Sequence, residues 1–259
     1  MVRREKTNYT IQSVSHALDV LEQFGGDAEE LGVTELSKRL KLHKNNVFRL
    51  LATLEARGYI EQNKTTENYR LGIRCLRLGQ RFLLQTGLLR QAKPVMAEVA
   101  KTAKETTFVA VLQNGAVVPL DAVDAPQPVR LVSRIGDRLP LHSTAAGKVH
   151  LAFGDESVRN SLPEPLTRFT EKTVVDSQLL TQQLKKISDN GYAVDLGEAV
   201  EDVRSVAVPI RDYTRAVVGS LSIAGPAYRL TQERIDKEIV PLMLKAGRDL
   251  SSRLGFDGD

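Results

Sequence analysis

The residues best suited to specific chemistry lie in a basic stretch in the first third of the chain. Residues 38–90 carry a net charge of +9, whereas the whole 259-residue chain carries +4. Lys44, Asn45, Asn46 and Arg49 stand within this stretch. Arginine can bind guanine and asparagine can bind adenine through paired hydrogen bonds, and lysine can hold a phosphate or a guanine. The pattern indicates a polyanion-binding module, and on charge alone a solvated helix face remains the alternative.

Two short helices are needed to position these side chains. The later helix begins at Lys44 or Asn45 and ends at Gly58, because apolar residues recur between them at helical spacing. The earlier helix has Thr34 as its predicted N-cap. A tight turn at residues 41–44 joins them, which predicts a helix-turn-helix whose second helix enters the major groove of DNA.

A β-hairpin is predicted after the second of these helices. Residues 59–62 and 69–71 have strand composition and flank a polar loop at 63–68. With a first helix at residues 11–24, the chain from 1 to 72 is therefore predicted to be a winged helix-turn-helix domain. The residues predicted at base edges are Lys44, Asn45, Asn46 and Arg49, and those predicted at the DNA backbone are Thr34, Lys64 and Arg70.

Residues 73–90 are predicted to form a linker helix with two different faces. The basic face consists of Arg74, Arg77 and Arg81, and the apolar face includes Leu76, Leu78 and Leu83. Such a helix suits a connection that also packs on a second copy of the chain, although the pattern does not establish a dimer.

The remainder, residues 91–259, is predicted to be an α+β domain with a largely antiparallel sheet. Asn114-Gly115 between two β-branched runs is a strong hairpin signal. Strands are predicted at residues 107–113, 116–123, 129–135, 192–196, 205–210 and 217–224, and helices at 144–153, 179–187 and 231–254. Ser143 or Thr144 is the predicted N-cap of the first of these helices, and Thr231 is that of the last. Helices that interrupt runs of adjacent strands are typical of the α+β class.

No catalytic, metal or cofactor site is predicted. The segment Ala145–Lys148 resembles a phosphate loop, but His142 and Val149 stand where that motif needs Gly and Ser or Thr. The four histidines lack metal-ligand spacing, and Gly-x-Ser-x-Gly is absent. A single cysteine, no secretory h-region and no run long enough to span a bilayer favour a cytoplasmic protein without a membrane partner.

The sequence resembles the IclR family of bacterial transcriptional regulators, and the resemblance covers nearly the whole chain. The matching segments are Thr34–Ser37, Val47–Leu51, Gly58-Tyr59, Tyr69–Gly72, Pro140–His142, Ala145–Lys148, Gly191–Ala193, Val206–Pro209 and Gly219–Pro226. The resemblance implies a winged helix, a linker helix and a GAF/PAS-like effector-binding domain. It also implies a homodimer or a dimer of dimers, a double-stranded DNA operator and control by a small organic-acid effector.

The resemblance also implies an effector site in the second domain, formed by one helix start and three strands. Carried onto this sequence, its residues are Ala145, Ala146, Asp195, Ser205, Ser222 and Ala224. A helix start suits a carboxylate because its backbone N–H groups are free. Ser205, Ala224 and Ala145 stand where some family members have Cys, Ser and Gly. Because fewer hydroxyl groups remain, we expect an effector that is less polar or larger than the smallest keto acids.

The sequence thus predicts a DNA-binding transcriptional regulator, a class that includes repressors. The main alternative is a small-molecule-sensing or enzymatic domain whose basic N-terminal module binds a protein partner. A nonspecific RNA binder is disfavoured because aromatic residues are only 5% of the chain. The sequence leaves the operator, the effector and the direction of regulation open.

Overall fold

The computed structural model describes residues 10–25, 30–85, 87–132 and 135–258. The chain divides into two compact units, the first of which ends at Gln85. The side chains of Arg81 and Leu83 in the predicted linker, and residues 133–134 of a predicted strand, lie outside the described part. The limits 1–72, 73–90 and 91–259 stay predictions.

The first unit is a three-helix domain followed by a hairpin and a further helix. Its helices are α1 (Gln12–Glu22), continued by a 3-10 turn at Gln23–Gly25, α2 (Val33–Leu40), α3 (Lys44–Ala56) and α4 (Ile73–Gln85). The strands β1 (Ile60–Gln62) and β2 (Tyr69–Leu71) pair antiparallel. A core that includes Val20, Leu36, Val47, Leu51 and Ile60 holds the helices against the hairpin. The predicted winged helix-turn-helix is confirmed.

The prediction of Thr34 as the N-cap of α2 was wrong. The N-cap is Gly32, no side chain caps the helix, and Thr34 lies exposed inside the first turn. The reason is long-range: Leu31 and Tyr69 exchange two backbone hydrogen bonds of 2.9 and 3.0 Å. This bridge keeps the chain extended up to Gly32, so the helix begins two residues earlier than the local pattern indicates.

The hairpin returns to the helices at a close backbone crossing. The amide of Gly72 donates to the carbonyl of Tyr59 over 2.7 Å, and the amide of Arg74 donates to the carbonyl of Gly58 over 3.2 Å. A Cβ atom on Gly72 would collide with the Gly58 carbonyl. Glycine at position 72 is therefore a steric requirement at the start of α4.

The second unit is a five-stranded sheet with helices on both faces. Its strands are β3 (Thr106–Gln113), β4 (Ala116–Val123), β5 (Ala193–Asp195), β6 (Val203–Arg211) and β7 (Val217–Pro226), and its helices are α5 (Gly87–Ala103), α6 (Ala145–Phe153), α7 (Glu156–Arg159), α8 (Ser177–Asn190), α9 (Gln232–Arg234) and α10 (Val240–Arg253). The strand order is β4-β3-β7-β6-β5, and every neighbouring pair is antiparallel. The helices α6 and α8 pack on one face, and α5 and α10 pack on the other.

Most local predictions for this unit are confirmed. Asn114 and Gly115 both have positive φ, as the tight turn between β3 and β4 requires. Thr144 caps α6 by accepting the amide of Gly147 over 3.0 Å. Thr231 caps α9, but a π turn at Ile235–Ile239 interrupts the predicted single helix before α10. Pro241 follows that turn, and a proline has no N–H to continue an α-helical ladder.

The predicted strand at 129–135 was wrong, because the described residues 129–132 form no strand. Side chains bind the carbonyl groups of this segment in place of a neighbouring strand. Thr106 Oγ1 donates to the carbonyl of Leu131 over 2.5 Å, and Arg229 Nη1 donates to that of Val129 over 2.8 Å. The segment instead becomes a wall of the cavity described below.

Candidate DNA-binding surface and effector cavity

The predicted base-contacting residues share the solvent side of α3. A tight turn fixes the start of this helix, since Ser37 Oγ donates to the Leu42 carbonyl over 2.6 Å. Val47 and Leu51 are fully buried on the inner side. The exposed residues at the start of the helix are Lys44, Asn45, Asn46 and Arg49. Their side chains have no hydrogen-bond partner within the described residues, so they are available to a ligand.

The predicted backbone-contacting residues differ in how free they are. Thr34 and Lys64 are exposed, at the start of α2 and in the hairpin loop. Arg70 is exposed as well, but its Nε lies 3.2 Å from Glu61 Oε1 on the neighbouring strand. The structure thus brings Arg70 to the surface as half of an ion pair. An exposed pair of this kind is weak, typically below about 1 kcal/mol, so it can exchange for a phosphate.

The hairpin loop is held by a residue that the sequence analysis missed. Glu30 accepts hydrogen bonds from Asn63 Nδ2 over 2.8 Å and from Thr66 Oγ1 over 2.7 Å. The bond from Asn63 is the largest cause that lowers the pKa of the Glu30 carboxyl, followed by the bond from Thr66. The carboxylate therefore ties the loop that carries Lys64 to the segment before α2.

The second unit contains a cavity of about 450 Å³, a volume within the usual range for small-molecule sites. Four of the six predicted effector residues line it: Ala146, Asp195, Ser205 and Ala224. Ala145 and Ser222 are fully buried and do not line it. Ser222 pairs with Ala207 on β6, two residues farther along these strands than the Ser205–Ala224 pair. The helix α6 packs against both strands.

The sequence analysis missed most of the cavity wall. The remaining lining residues are Phe108, Pro119, Leu131, Val132, Asp137, Leu139, Thr144, Ala199, Val200 and Val203. They come from β3, β4, residues 131–132 and 137–139, the N-cap of α6, the loop after β5 and the start of β6, so no local pattern connects them. The wall is mainly apolar, and no lysine or arginine is among these residues.

Asp195 is the main titratable group on this wall. Its Oδ1 accepts the amides of Gly197 and Glu198 over 2.9 and 2.6 Å, and its Oδ2 lies 3.5 Å from Ser205 Oγ. Burial raises the pKa of Asp195 to about 6, against the effect of the backbone amide of Glu198. The free face of this carboxyl group is thus a hydrogen-bonding point in apolar surroundings.

The start of α6 also borders the cavity, and its backbone N–H groups are hydrogen-bond donors that complement the Asp195 carboxyl group. Thr144 uses its side chain on the amide of Gly147 and its carbonyl on the amide of Lys148. The amides of Ala145 and Ala146 are the first two of the helix and have no partner inside it. Free amides and the positive end of the helix dipole favour an anion.

A buried ion pair fixes the loop between these two points. Lys148 Nζ lies 2.5 Å from Glu198 Oε1, and both side chains are at least nine-tenths buried. The carbonyl of Glu198 also accepts Thr173 Oγ1 over 2.7 Å. The sequence analysis treated Lys148 only as a candidate phosphate-loop lysine. Its position in an otherwise apolar helix was the available signal, because a buried charge needs a partner.

The two histidines of the second unit, His142 and His150, are both buried. His142 Nε2 lies 2.8 Å from the Thr167 carbonyl, and burial lowers the pKa of His150 to about 4. No cluster of three or more His, Cys, Asp or Glu suited to a metal occurs among the described residues. Nor does any described helix combine the length and the apolar character needed to cross a bilayer.

Comparisons with known proteins cover both units. The IclR helix-turn-helix domain matches residues 13–64, and the C-terminal domain of bacterial transcriptional regulator IclR matches residues 80–252. The HTH-type transcriptional regulator KdgR of Escherichia coli is 34% identical over 254 residues, which are 97% of this chain and 96% of that protein. XynR of the same organism is also 34% identical, over 95% of this chain and 98% of its own length.

A solved structure resembles the chain closely as well. An IclR homologue from Microbacterium hydrocarbonoxydans, in complex with 4-hydroxybenzoate, has a TM-score of 0.84 and 26% identity, and the match covers 94% of this chain and 99% of that one. These relatives are transcriptional regulators rather than enzymes, in agreement with the sequence-based prediction. The chain belongs to the IclR family of DNA-binding transcriptional regulators.

Proposed function

We propose that this regulator binds a small organic acid in the 450 Å³ cavity and that binding changes its affinity for DNA. The observation that carries the proposal is the pairing of the free amides at the start of α6 with the buried carboxyl group of Asp195 on one apolar cavity wall. The ligand of the Microbacterium homologue, 4-hydroxybenzoate, combines a carboxylate, an apolar ring and a hydroxyl group.

The proposed binding mode follows from the chemistry of the wall. The effector carboxylate lies at the start of α6, where Thr144 and Ala146 line the cavity, and a hydroxyl group of the effector donates to Asp195. The apolar body packs on side chains such as Phe108 and Val203. Among the described lining residues there is no lysine or arginine, and we propose that the start of α6 balances the negative charge.

A thermal-shift titration with 4-hydroxybenzoate and other aromatic and aliphatic carboxylates tests this proposal. A ligand at about 100 times its Kd stabilises the folded state by about 2.7 kcal/mol and raises Tm. The matched control is 4-hydroxybenzamide, which lacks the charge and should give a smaller shift. If no carboxylate raises Tm, or if acid and amide act equally, the proposed anion site is wrong.

For DNA we propose that Lys44, Asn45, Asn46 and Arg49 contact base edges in the major groove. Thr34, Lys64 and Arg70 contact phosphates. The exposure of these side chains on α3, α2 and the hairpin supports the assignment. The affinity for mixed duplex DNA should fall steeply with salt, because each phosphate contact releases counterions. A salt-independent affinity would favour the alternative in which this module binds a protein.

We further propose that two copies associate through the first unit, as a homodimer or within a dimer of dimers. The exposed apolar residues at the N-cap and in the first two turns of α1 are Ile11, Val14 and Leu18, and those at the start of α4 are Ile73, Leu76 and Leu78. On α1 they recur at helical spacing, which forms a continuous stripe. Light scattering should show a dimer or tetramer, and Leu18→Glu should shift the distribution toward smaller species. Wild-type protein that is monomeric at micromolar concentration would contradict this.

The proposed setting is the bacterial cytoplasm, where the operator DNA lies. A dimer would read two half-sites about one helical turn, or a multiple of it, apart. The effector can shift DNA affinity only by as much as it prefers one arrangement of the protein over the other. Repression and activation are both compatible with this scheme.

A further inference from the structure

The helix α3 exposes a large apolar side chain that belongs neither to the core nor to the DNA contacts proposed above. Phe48 is 56% exposed, whereas its neighbour Val47 is fully buried. A phenylalanine on the solvent side of a helix loses the burial that normally stabilises it. Only a binding partner outside the described fold would bury this side chain.

The helical position of Phe48 puts it within the proposed DNA-contacting surface. It follows Lys44 by four residues and Asn45 by three, so the three side chains are neighbours on the helix surface. Side chains in a helix lean toward its N-terminus, which here is the end expected to enter the groove. All three are exposed.

The surroundings favour DNA over a second protein surface. The exposed residues next to Phe48 are cationic or amide-bearing: Lys44, Asn45 and Arg49. The acidic residue of α3, Glu55, lies near the other end and accepts the amide of Gln62. A second copy of this basic face would be repelled, whereas a major groove presents apolar methyl groups between its polar edges and phosphates.

We propose that Phe48 contacts the 5-methyl group of a thymine and so selects an A·T pair at one position of each half-site. Among the four bases only thymine carries a methyl group in the major groove, and apolar side chains recognise it. This inference rests on the proposed groove contacts of α3, and it adds apolar readout to the hydrogen bonds expected from Asn45 and Arg49.

The test removes the methyl group and nothing else. A high-affinity duplex is first selected from a random pool with the purified full-length protein, and each thymine is then replaced singly by deoxyuridine. For the wild type we expect one position per half-site at which the replacement weakens binding about fourfold, the value expected for one buried methyl group. Phe48→Ala should bind the thymine and deoxyuridine duplexes equally at that position.

Matched variants separate this role from a general loss. Phe48→Leu keeps an apolar side chain and should retain part of the preference for thymine, so it serves if Phe48→Ala binds too weakly to measure. Lys44→Ala should weaken binding to both duplexes by the same factor. Because Phe48 is exposed, Tm should stay unchanged in both Phe48 variants.

Two outcomes overturn the inference. One is that no deoxyuridine replacement affects the wild type, and the other is that Phe48→Ala still discriminates at the sensitive position. Failure of the underlying groove contacts looks different: the wild type would then bind every duplex alike, or none at low salt.

Discussion

The two candidate sites of this regulator are built in opposite ways. On α3 the proposed base-contacting side chains Lys44, Asn45 and Arg49 are exposed and have no partner within the described residues, while Val47 and Leu51 behind them are fully buried. At the cavity the lining carboxyl group of Asp195 is itself buried, and it is joined through Glu198 to Lys148 behind the wall. The DNA-contacting surface can therefore vary without affecting stability, whereas the cavity cannot.

The strongest test of this contrast is the buried ion pair. Lys148→Met leaves the Glu198 carboxylate buried without its partner and should lower the free energy of unfolding by about 3–5 kcal/mol. Urea denaturation followed by circular dichroism measures the loss. The double variant Lys148→Met/Glu198→Gln should recover part of it, since the uncompensated charge is gone. A loss below about 1 kcal/mol in the single variant would show that the pair is not structurally important.

A second test concerns pH and Asp195. Its folded pKa of about 6 lies above the ordinary value of 3.8, so the folded state disfavours the charged form. The penalty is absent below about pH 4, grows between pH 4 and 6, and is complete above pH 6. Asp195→Asn should therefore be more stable than the wild type at pH 7, by on the order of 3 kcal/mol, with little difference at pH 4.

The comparison of unfolding curves at both pH values checks this expectation. His150 is the internal reference, because its lowered pKa acts in the opposite direction and lowers stability as the pH falls from about 6.5 to 4. Both proteins keep His150, so its contribution cancels. A constant difference between the proteins at the two pH values would contradict the assignment to Asp195.

On the DNA-contacting surface the expected pattern reverses. Arg49→Ala should weaken binding to a cognate duplex by about 1–3 kcal/mol if the side chain is bidentate to guanine, while Tm stays within error of the wild type. Fluorescence anisotropy on cognate and scrambled duplexes measures both affinities. An equal loss on the two duplexes would instead make Arg49 a phosphate contact.

The smallest effect is expected in the hairpin. Glu61→Gln releases Arg70 from its ion pair and should tighten binding to DNA of any sequence slightly, with a stability change below about 1 kcal/mol. Arg70→Ala should reduce the slope of log K against log salt by about one. Titrations at several salt concentrations measure both. An unchanged slope in Arg70→Ala would remove Arg70 from the proposed phosphate contacts.

Local signals in the sequence predicted most of the fold. The Asn114-Gly115 turn, the Thr144 cap and the apolar spacing of α3 depend on neighbouring residues, and all three are confirmed. Two of the errors involve distant partners. Leu31 bonds to Tyr69 and thereby displaces the start of α2, and Thr106 binds the carbonyl of Leu131 where a strand was predicted.

The cavity could be predicted only in part for the same reason. The family resemblance gave Asp195 and Ser205, which line it, but it also gave Ser222, which lies beneath α6 and does not. Lys148 and Glu198 are fifty residues apart, so no spacing rule joins them. The exposure of Phe48 likewise depends on which side of α3 the core covers, although the helical periodicity around Val47 and Leu51 contained that information.

The glycine crossing at the end of the hairpin has a mechanical consequence. The backbone of Gly72 lies directly against that of Gly58, and the Gly72 amide is bonded to the Tyr59 carbonyl, so backbone contacts join the start of α4 to the end of α3 and the hairpin. Rotation of α4 about its axis would therefore move α3 and the hairpin together as one rigid body. A small rotation of α4 would therefore produce a larger displacement at the start of α3 and at the hairpin loop.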